Sequence, residues 1–264
     1  MRVKLTLAGA ARVVDAPDDA SVAALAAIAA TAFSVDVSRV SLYSTAPSAP
    51  LAAVRGGAVV EVRVAPPVTR HSVPADNSCV FSAVSWALSL GAAPAALRAA
   101  CAAAVAADAA QWSDAVLGRP RGEYEAFITN PKTWGGGVEL AVLAAEHGVE
   151  LAAVEVRSGT LYVFGEGAGF AKRAYLVFDG MHYDACARGA ERTFDAADER
   201  ARADVAAFAA AERRAGAFAD LSGFTLRCVD CAAGVVGEAG AVVHARETAA
   251  AGGTAHTNYA EYKV

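Results

Sequence analysis

The stretch Pro74-Ala75-Asp76-Asn77-Ser78-Cys79-Val80-Phe81 places an acid, a thiol and the start of an apolar run close together. Asp76 is a residue type that favours a helix N-cap, and the apolar positions from Cys79 to Leu88 repeat every three or four residues. The pattern predicts a core-packed helix with Cys79 in its first turn, where free N–H groups and the helix dipole favour the nucleophilic thiolate. The alternative is a structural core cysteine behind a capping aspartate.

A second stretch pairs a histidine with an acid. Ala174–Phe178 has the composition of a strand, Asp179-Gly180 is typical of a two-residue hairpin turn, and Met181-His182-Tyr183-Asp184 indicates the returning strand. Alternation along that strand predicts that His182 and Asp184 share one face. A thiol, an imidazole and a carboxylate are the nucleophile, base and orienting group of a cysteine hydrolase. Taken alone, a histidine or an aspartate on a strand is more often structural.

Composition narrows the class of protein. The 264 residues suffice for one sizeable core and one or two small modules, and much of the 55% hydrophobic content is alanine. A net charge of -5 argues against a nucleic-acid binder, and the sequence shows neither a membrane-spanning apolar run nor a signal peptide. Five cysteines, with one Cys-x-x-Cys pair, favour a reducing compartment and one metal site over a disulfide framework. We therefore expect a cytoplasmic protein whose partners are proteins.

Three blocks of sequence carry a family resemblance: Asp76 to Phe81, Trp134 to Leu140, and Phe178 to Asp184. In order and spacing they resemble the signature blocks of the ovarian tumour (OTU) family of deubiquitinating cysteine proteases, most closely its ubiquitin thioesterase OTU-one branch. The resemblance implies an α+β chain with four parts. These are an N-terminal ubiquitin-like (UBX-like) β-grasp domain, a papain-like OTU catalytic domain, a linking helix and a C2H2-type zinc finger, over residues 1–65, 68–193, 194–221 and 222–264.

The resemblance also implies catalytic roles. Cys79 would be the nucleophile, His182 the base, Asp184 the group that orients the imidazole, and Asp76 the acid that shapes the oxyanion loop. Backbone N–H groups between Asp76 and Cys79 would then face the developing oxyanion. If Asp76 instead only caps the helix, its replacement should cost about 1 kcal/mol of stability and leave the chemistry unchanged.

Further residues are implied as contacts for the substrate. Trp134 and Gly135 belong to a Trp-Gly-Gly block that supports the substrate cleft in the family, although helix packing alone would also explain it. Met181 occupies a position whose backbone lines the cleft in relatives. Glu155 and Arg157 match a stretch that contacts a second ubiquitin in the resembling branch.

The first 65 residues predict the order strand, strand, helix, strand, strand, with Asp18 or Ser21 capping the helix that runs to about Phe33. This is the order of a ubiquitin-like β-grasp, which in the resembling branch docks on the hexameric ATPase valosin-containing protein. Such domains usually present an aromatic-proline loop, but residues Ser44 to Leu51 here are Ser-Thr-Ala-Pro-Ser-Ala-Pro-Leu. The alternative is a small folded spacer.

The C-terminal region contains candidate metal ligands. Cys228 and Cys231 form the Cys-x-x-Cys pair, and His244 follows after twelve residues, the spacing of a C2H2 zinc finger. Eleven residues separate His244 from His256, where three to five are usual. Ala249 to Gly253 resembles an insertion into that gap, because Ala255-His256-Thr257-Asn258-Tyr259 resembles the closing block of the family. We expect these four residues to bind structural Zn²⁺, and the finger to contact protein or steady the C-terminus rather than read DNA.

Three further helices bear on the architecture. Pro94 to Ala109 predicts an alanine-rich helix with Cys101 buried, and Val138 to Leu143 predicts the start of another, which ends at His147. Phe194 to Phe218 predicts a long charged helix that leads away from the catalytic domain.

Two functions remain open at this point. The first is a cysteine-type deubiquitinating peptidase that hydrolyses isopeptide bonds of polyubiquitin on substrates handled by valosin-containing protein, in ER-associated degradation. The second is a catalytically inactive, ubiquitin-binding adaptor between that ATPase and ubiquitinated clients.

Overall fold

A computed structural model describes residues 1–45, 48–50, 58–219, 225–251, 253–257 and 259–261. The chain divides into two compact units, Met1–Val68 and Thr69–Val264. Within the described part of the chain, no helix combines the length and apolar character that crossing a lipid bilayer requires.

The described part of the N-terminal unit is a mixed sheet with one α-helix. Its described strands are β1 (Arg2–Leu7), β2 (Ala10–Asp15), β3 (Val40–Thr45), β4 (Ser48–Pro50) and β5 (Val59–Val64), and its helix is α1 (Val22–Phe33). The strand order is β2-β1-β5-β3-β4, with β1 and β5 parallel and the other pairs antiparallel. The predicted succession is therefore present, with β4 as an additional short strand. Part of the Ser44 to Leu51 segment, residues 46, 47 and 51, lies outside the described residues.

Alternation along β1 builds the core of this unit. Val3 and Leu5 are fully buried and pack with Leu25 of α1 and Val60 of β5. Of the two proposed caps, Ser21 is the one used, since its Oγ accepts a hydrogen bond from the N–H of Ala24 at 3.1 Å.

The second unit contains a larger sheet with helices packed on it. Its strands are β6 (Val68–His71), β7 (Glu150–Glu155), β8 (Leu161–Phe164), β9 (Lys172–Phe178), β10 (Tyr183–Arg188) and β11 (Thr193–Asp195). The order is β6-β10-β9-β7-β8, and β11 pairs with β9; β7 and β9 are parallel. The helices are α2 (Cys79–Ala87), α3 (Pro94–Ala107), α4 (Asp114–Leu117), α5 (Arg121–Thr129), α6 (Gly137–His147) and α7 (Glu199–Arg214).

Helix α2 is embedded in this core, as its apolar spacing predicts. Val80, Phe81 and Val84 are fully buried. The block that contains Gly135 lies directly against them, because a Cβ at Gly135 would lie 2.7 Å from Val80 Cγ1 and 2.8 Å from the Phe81 ring. Only glycine permits this approach of the Trp-Gly-Gly block to the helix that begins at Cys79.

The prediction of one long helix from Phe194 to Phe218 is wrong in two respects. The segment starts in β11, and α7 is confined to Glu199–Arg214. Helix α7 also packs on the sheet instead of leading away from it, because its small residues Ala201, Val205 and Ala209 form a flat buried face.

The C-terminal part of the second unit is a small sheet with one helix. Strands β12 (Thr225–Cys228), β13 (Gly234–Val236) and β14 (Tyr259–Glu261) pair in the order β13-β12-β14, and α8 spans Gly237–Ala250. The hairpin of β12 and β13 is thus extended by a third strand, β14, which follows the helix.

Candidate active site and metal centre

Cys79 is the first residue of α2, in the predicted first turn, and its side chain is 8% exposed. The N–H of Tyr183 donates to its Sγ at 3.5 Å, which brings the thiol beside the segment that carries His182. The N-cap is Ser78 and not Asp76 as predicted. Asp76 Oδ1 instead accepts the N–H of Ser78 at 2.8 Å, and this bond orders the loop before the helix.

His182 lies in the loop between β9 and β10. The prediction of a two-residue turn with His182 on the returning strand is wrong, since β10 begins at Tyr183. The physical reason is the carboxylate of Asp179, whose Oδ1 accepts the N–H groups of Met181 and His182 at 2.9 and 2.7 Å and so widens the turn. His182 and Asp184 nevertheless meet, with Nε2 and Oδ1 3.1 Å apart.

Asp184 is 3% exposed and accepts hydrogen bonds from three directions. Its Oδ1 accepts the N–H of Val73 at 2.8 Å besides the bond with His182, and its Oδ2 accepts from Arg70 Nη1 at 3.0 Å. Arg70 also donates through Nη2 to Glu212 of α7 at 2.5 Å. Arg70 was not predicted as part of the site, because no local pattern relates it to a carboxylate more than a hundred residues away.

The imidazole is oriented by these bonds. Because Nε2 faces the carboxylate of Asp184, Nδ1 is the ring nitrogen that this bond leaves available. The structure thus places the Cys79 thiol against Tyr183, between His182 and Asp184 in sequence, and Asp76 in the loop that leads to Cys79.

The candidate substrate-contact residues differ in their exposure and in their distance along the chain from this site. Trp134 is 43% exposed, and its Nε1 donates to Asn77 Oδ1 in the nucleophile loop at 2.6 Å. Gly135 is enclosed by α2, so helix packing accounts for it. Met181 lies in the His182 loop. Glu155 pairs with Phe178, the last residue of β9, and so lies at the end of the sheet where the His182 loop begins. Arg157 follows Glu155 in the exposed turn after β7.

The four candidate metal ligands also converge. The donor atoms of Cys228, Cys231, His244 and His256 all lie within 4.8 Å of one another. Cys228 Sγ is 3.6 Å from His256 Nδ1, and Cys231 Sγ is 3.3 Å from His244 Nε2. Tetrahedral zinc with Zn–S of about 2.3 Å and Zn–N of about 2.05 Å has S···N edges of about 3.6 Å. The donor set therefore fits Zn²⁺, which would act structurally because the protein fills all four positions.

The structure explains how His244 and His256 meet despite their long separation in sequence. His244 lies within α8, and Ala249 and Ala250 extend that helix rather than forming a loop. The chain then returns, and the N–H of His256 donates to Thr248 Oγ1 at 3.0 Å. His256 thus reaches the ligand cluster from a separate segment.

Comparisons with known proteins give the family. A family model described as "Ubiquitin thioesterase OTU1, C-terminal C2H2-type zinc finger" matches residues 222–262. The chain is 36% identical over 211 residues to "OVARIAN TUMOR DOMAIN-containing deubiquitinating enzyme 2" of Arabidopsis thaliana, covering 74% of this chain and 98% of that protein. It is also 36% identical over 209 residues to ubiquitin thioesterase OTU1 of Danio rerio, covering 75% and 67%. This chain belongs to the OTU family, in its OTU1 branch.

A solved structure agrees on the fold. An OTU domain in complex with ubiquitin superposes with a TM-score of 0.55 and 22% identity, over 58% of this chain and 90% of that one. The predicted α+β class, with an OTU domain and a C-terminal C2H2 zinc finger, is confirmed.

In this OTU1-type chain, the loop before Cys79 is held by hydrogen bonds of its own residues. The N–H of Ser78 donates to the Asp76 side chain, and the N–H of Cys79 donates to the Asp76 carbonyl at 3.3 Å. The N–H of Asp76 donates to the carbonyl of Pro74 at 2.9 Å. Among the described residues the N–H of Asn77 has no hydrogen-bond partner, so it is the loop donor available without rearrangement.

The charge state of Cys79 differs from the sequence expectation. Burial raises the pKa of the Cys79 thiol; the N–H groups of Tyr183 and Val80 lower it, and the carboxylates of Asp76 and Asp184 raise it again, with a net upward shift. Desolvation outweighs the position at the helix start. The raised pKa opposes the resting thiolate that the position at the helix start predicts.

This predicts the pH dependence of alkylation. Because only the thiolate reacts and the pKa of Cys79 is raised, the rate constant with iodoacetamide should still be increasing above about pH 9, where an ordinary thiol approaches its plateau. Mass spectrometry of the Cys79 peptide measures it, with Cys79→Ser as the control. Cys101 and Cys186 do not interfere, because burial raises the pKa of each to about 12. A plateau below about pH 7 would contradict the prediction.

Proposed function

We propose that this chain is a cysteine-type deubiquitinase that hydrolyses isopeptide bonds in polyubiquitin. The observation that carries the proposal is the His182–Asp184 pair beside the Cys79 thiol, on an OTU fold. Ubiquitin is the ligand in the solved OTU complex and appears in the names of the OTU1 relatives, which supports the same substrate class here.

The proposed reaction has two steps. His182 Nδ1 takes the proton of Cys79, and Sγ attacks the carbonyl carbon at the C-terminal glycine of ubiquitin. The C–N bond breaks, and the imidazolium returns its proton to the leaving lysine amine. Water then attacks the thioester, His182 takes a proton from that water, and the thiolate that leaves is reprotonated by the imidazolium.

Asp184, Asn77 and Asp76 orient the reacting groups or stabilise the charges that form on them. Asp184 fixes the tautomer of His182 and stabilises the imidazolium that forms in each step. The N–H of Asn77 is the donor best suited to the oxyanion of the tetrahedral intermediate, since the neighbouring N–H groups are already bonded. Asp76 orders the loop that presents it.

The prediction that tests this function compares two histidines. His182→Gln should lower kcat for linkage-defined diubiquitin by about 10²- to 10⁴-fold, because it removes the general base. His147→Gln, at the C-terminal end of α6, should retain wild-type activity. Gel-based cleavage of a diubiquitin panel measures both, and a ubiquitin-based electrophile should label Cys79 in wild type.

The inactive adaptor gives a different result in the same assay. Wild type would then bind ubiquitin chains but cleave none, and the electrophile would leave Cys79 unlabelled. Equal activity in His182→Gln and wild type would contradict the proposed role of the imidazole.

We further propose that the N-terminal unit is a ubiquitin-like module that docks the enzyme on valosin-containing protein, and that the enzyme acts in the cytoplasm on clients of ER-associated degradation. The mixed sheet β2-β1-β5-β3-β4 with a single helix supports the β-grasp assignment. The family resemblance supports the partner.

Binding to the hexameric ATPase tests the docking proposal. The full chain should bind it in isothermal titration calorimetry, and a chain that lacks residues 1–65 should not. Both chains should cleave diubiquitin alike, because the catalytic groups lie in the second unit. Undiminished binding without residues 1–65 would refute the docking role.

A further inference from the structure

A buried arginine lies behind the nucleophile loop. Arg98 belongs to the alanine-rich helix α3, yet its side chain is only 1% exposed. Among the described residues none of its hydrogen bonds goes to a carboxylate; all go to carbonyl or hydroxyl oxygens. Buried charges are normally paired with an opposite charge. An unpaired arginine in the core therefore calls for a specific reason.

The guanidinium joins two loops of the site. Nη2 donates to the carbonyls of Asn77 and Thr133, both at 2.7 Å, and contacts Ser78 Oγ at 3.2 Å. Nη1 donates to the carbonyl of Ile128 at 2.9 Å, which fixes the end of α5. The loop that precedes Cys79 and the loop that precedes Trp134 are thus bound to one rigid planar group.

One peptide group is held at both ends. In a trans peptide the carbonyl and the N–H point in opposite directions. The carbonyl of Asn77 accepts from Arg98, and the N–H of the same peptide group, which belongs to Ser78, donates to Asp76 Oδ1 at 2.8 Å. This peptide group joins Asn77 to Ser78, the residue before Cys79, so its fixed orientation limits how the backbone can rotate at Asn77.

The side chain of Asn77 is fixed as well. Its Oδ1 accepts from Trp134 Nε1 at 2.6 Å, and Trp134 directly follows Thr133, which Arg98 binds through the carbonyl. With its carbonyl and its side chain both bonded, Asn77 has one polar backbone group left, its N–H.

We propose that Arg98 is a positioning residue for hydrolysis by Cys79: together with Trp134 it holds Asn77 so that the loop presents its free N–H to the oxyanion. The inference rests on the proposed hydrolase function and adds to it a group that never touches the substrate. Phe81 supports the arrangement from the other side, with the Arg98 guanidinium carbon 4.4 Å from its ring centroid.

The energetics agree with a positioning role. Burial lowers the pKa of Arg98, and the carboxylates of Glu139 and Asp76 only partly offset that effect. A core that needed packing alone would be served as well by apolar side chains of similar volume. A lysine would keep the charge, but one ammonium group does not reproduce the planar fork that spans both loops.

The test compares two buried arginines. Arg98→Lys should lower kcat for a ubiquitin ester or diubiquitin by about 10- to 100-fold, with KM within about threefold of wild type, as for loss of an oxyanion donor. Arg173→Lys is the matched control, because Arg173 is 7% exposed and binds Glu150 at 2.6 Å near the opposite end of β9. It should lower Tm but keep the wild-type kcat.

Alkylation of Cys79 by iodoacetamide distinguishes a displaced oxyanion donor from a general loosening of the site around Cys79. That reaction forms no oxyanion, so its rate in Arg98→Lys should stay within about threefold of wild type while hydrolysis falls. Hydrolysis at the wild-type rate despite a lower Tm would overturn the proposal, as would an equal fall of alkylation and hydrolysis. Wild type that alkylates but hydrolyses nothing would indicate failure of the proposed function instead.

Trp134→Phe repeats the test outside the core, in case Arg98→Lys does not fold. It removes the Nε1 donor to Asn77 while Trp134 is 43% exposed, so the fold should persist. We expect a fall in kcat of at least about fivefold with unchanged alkylation. Wild-type hydrolysis in Trp134→Phe would overturn the proposal that tethering Asn77 matters.

Discussion

The arrangement of the site depends on the hydrogen bonds that the carboxylate of Asp184 accepts. Asp184 lies on β10, is buried, and joins the imidazole of His182 to the N–H of Val73 and the guanidinium of Arg70. The segment from Arg70 to Val73 leads directly into the nucleophile loop. One carboxylate therefore fixes the base and the approach to Cys79 at once, and a buried anion satisfied by three donors has little freedom to move.

The thiol and its loop follow from this constraint. Cys79 starts a helix embedded in the core, which fixes its position but also removes it from water, so burial raises its pKa. The proposed mechanism therefore relies on proton removal by an oriented imidazole and not on a resting thiolate. The side chains of Asp76, Arg98 and Trp134 each hydrogen-bond to the loop. Acyl transfer needs such fixed donors, in place before the oxyanion forms.

Local patterns predicted the parts of this site but not their connections. The apolar spacing after Cys79 predicted α2, and the strand composition before Asp179 predicted β9, because both depend on residues near in sequence. The turn was mispredicted since the Asp179 side chain accepts N–H groups that a hairpin ladder would use. Arg70 and Arg98 escaped notice because an arginine in a strand or an alanine-rich helix is usually solvated, and only the tertiary fold surrounds them with acceptors. The ligand His256 was predicted from the family resemblance despite its unusual spacing, and the extension of α8 explains that spacing.

The tautomer of His182 in the substrate-free protein tests the central claim most directly. Nitrogen-15 NMR of histidine-labelled full chain at alkaline pH, with His182→Gln to assign the signal, reports which ring nitrogen carries the proton. If Asp184 orients the base, His182 should carry its proton on Nε2 and leave Nδ1 bare toward the thiol, and Asp184→Ala should abolish that preference. A proton on Nδ1, or the same tautomer with and without the Asp184 carboxylate, would contradict the account.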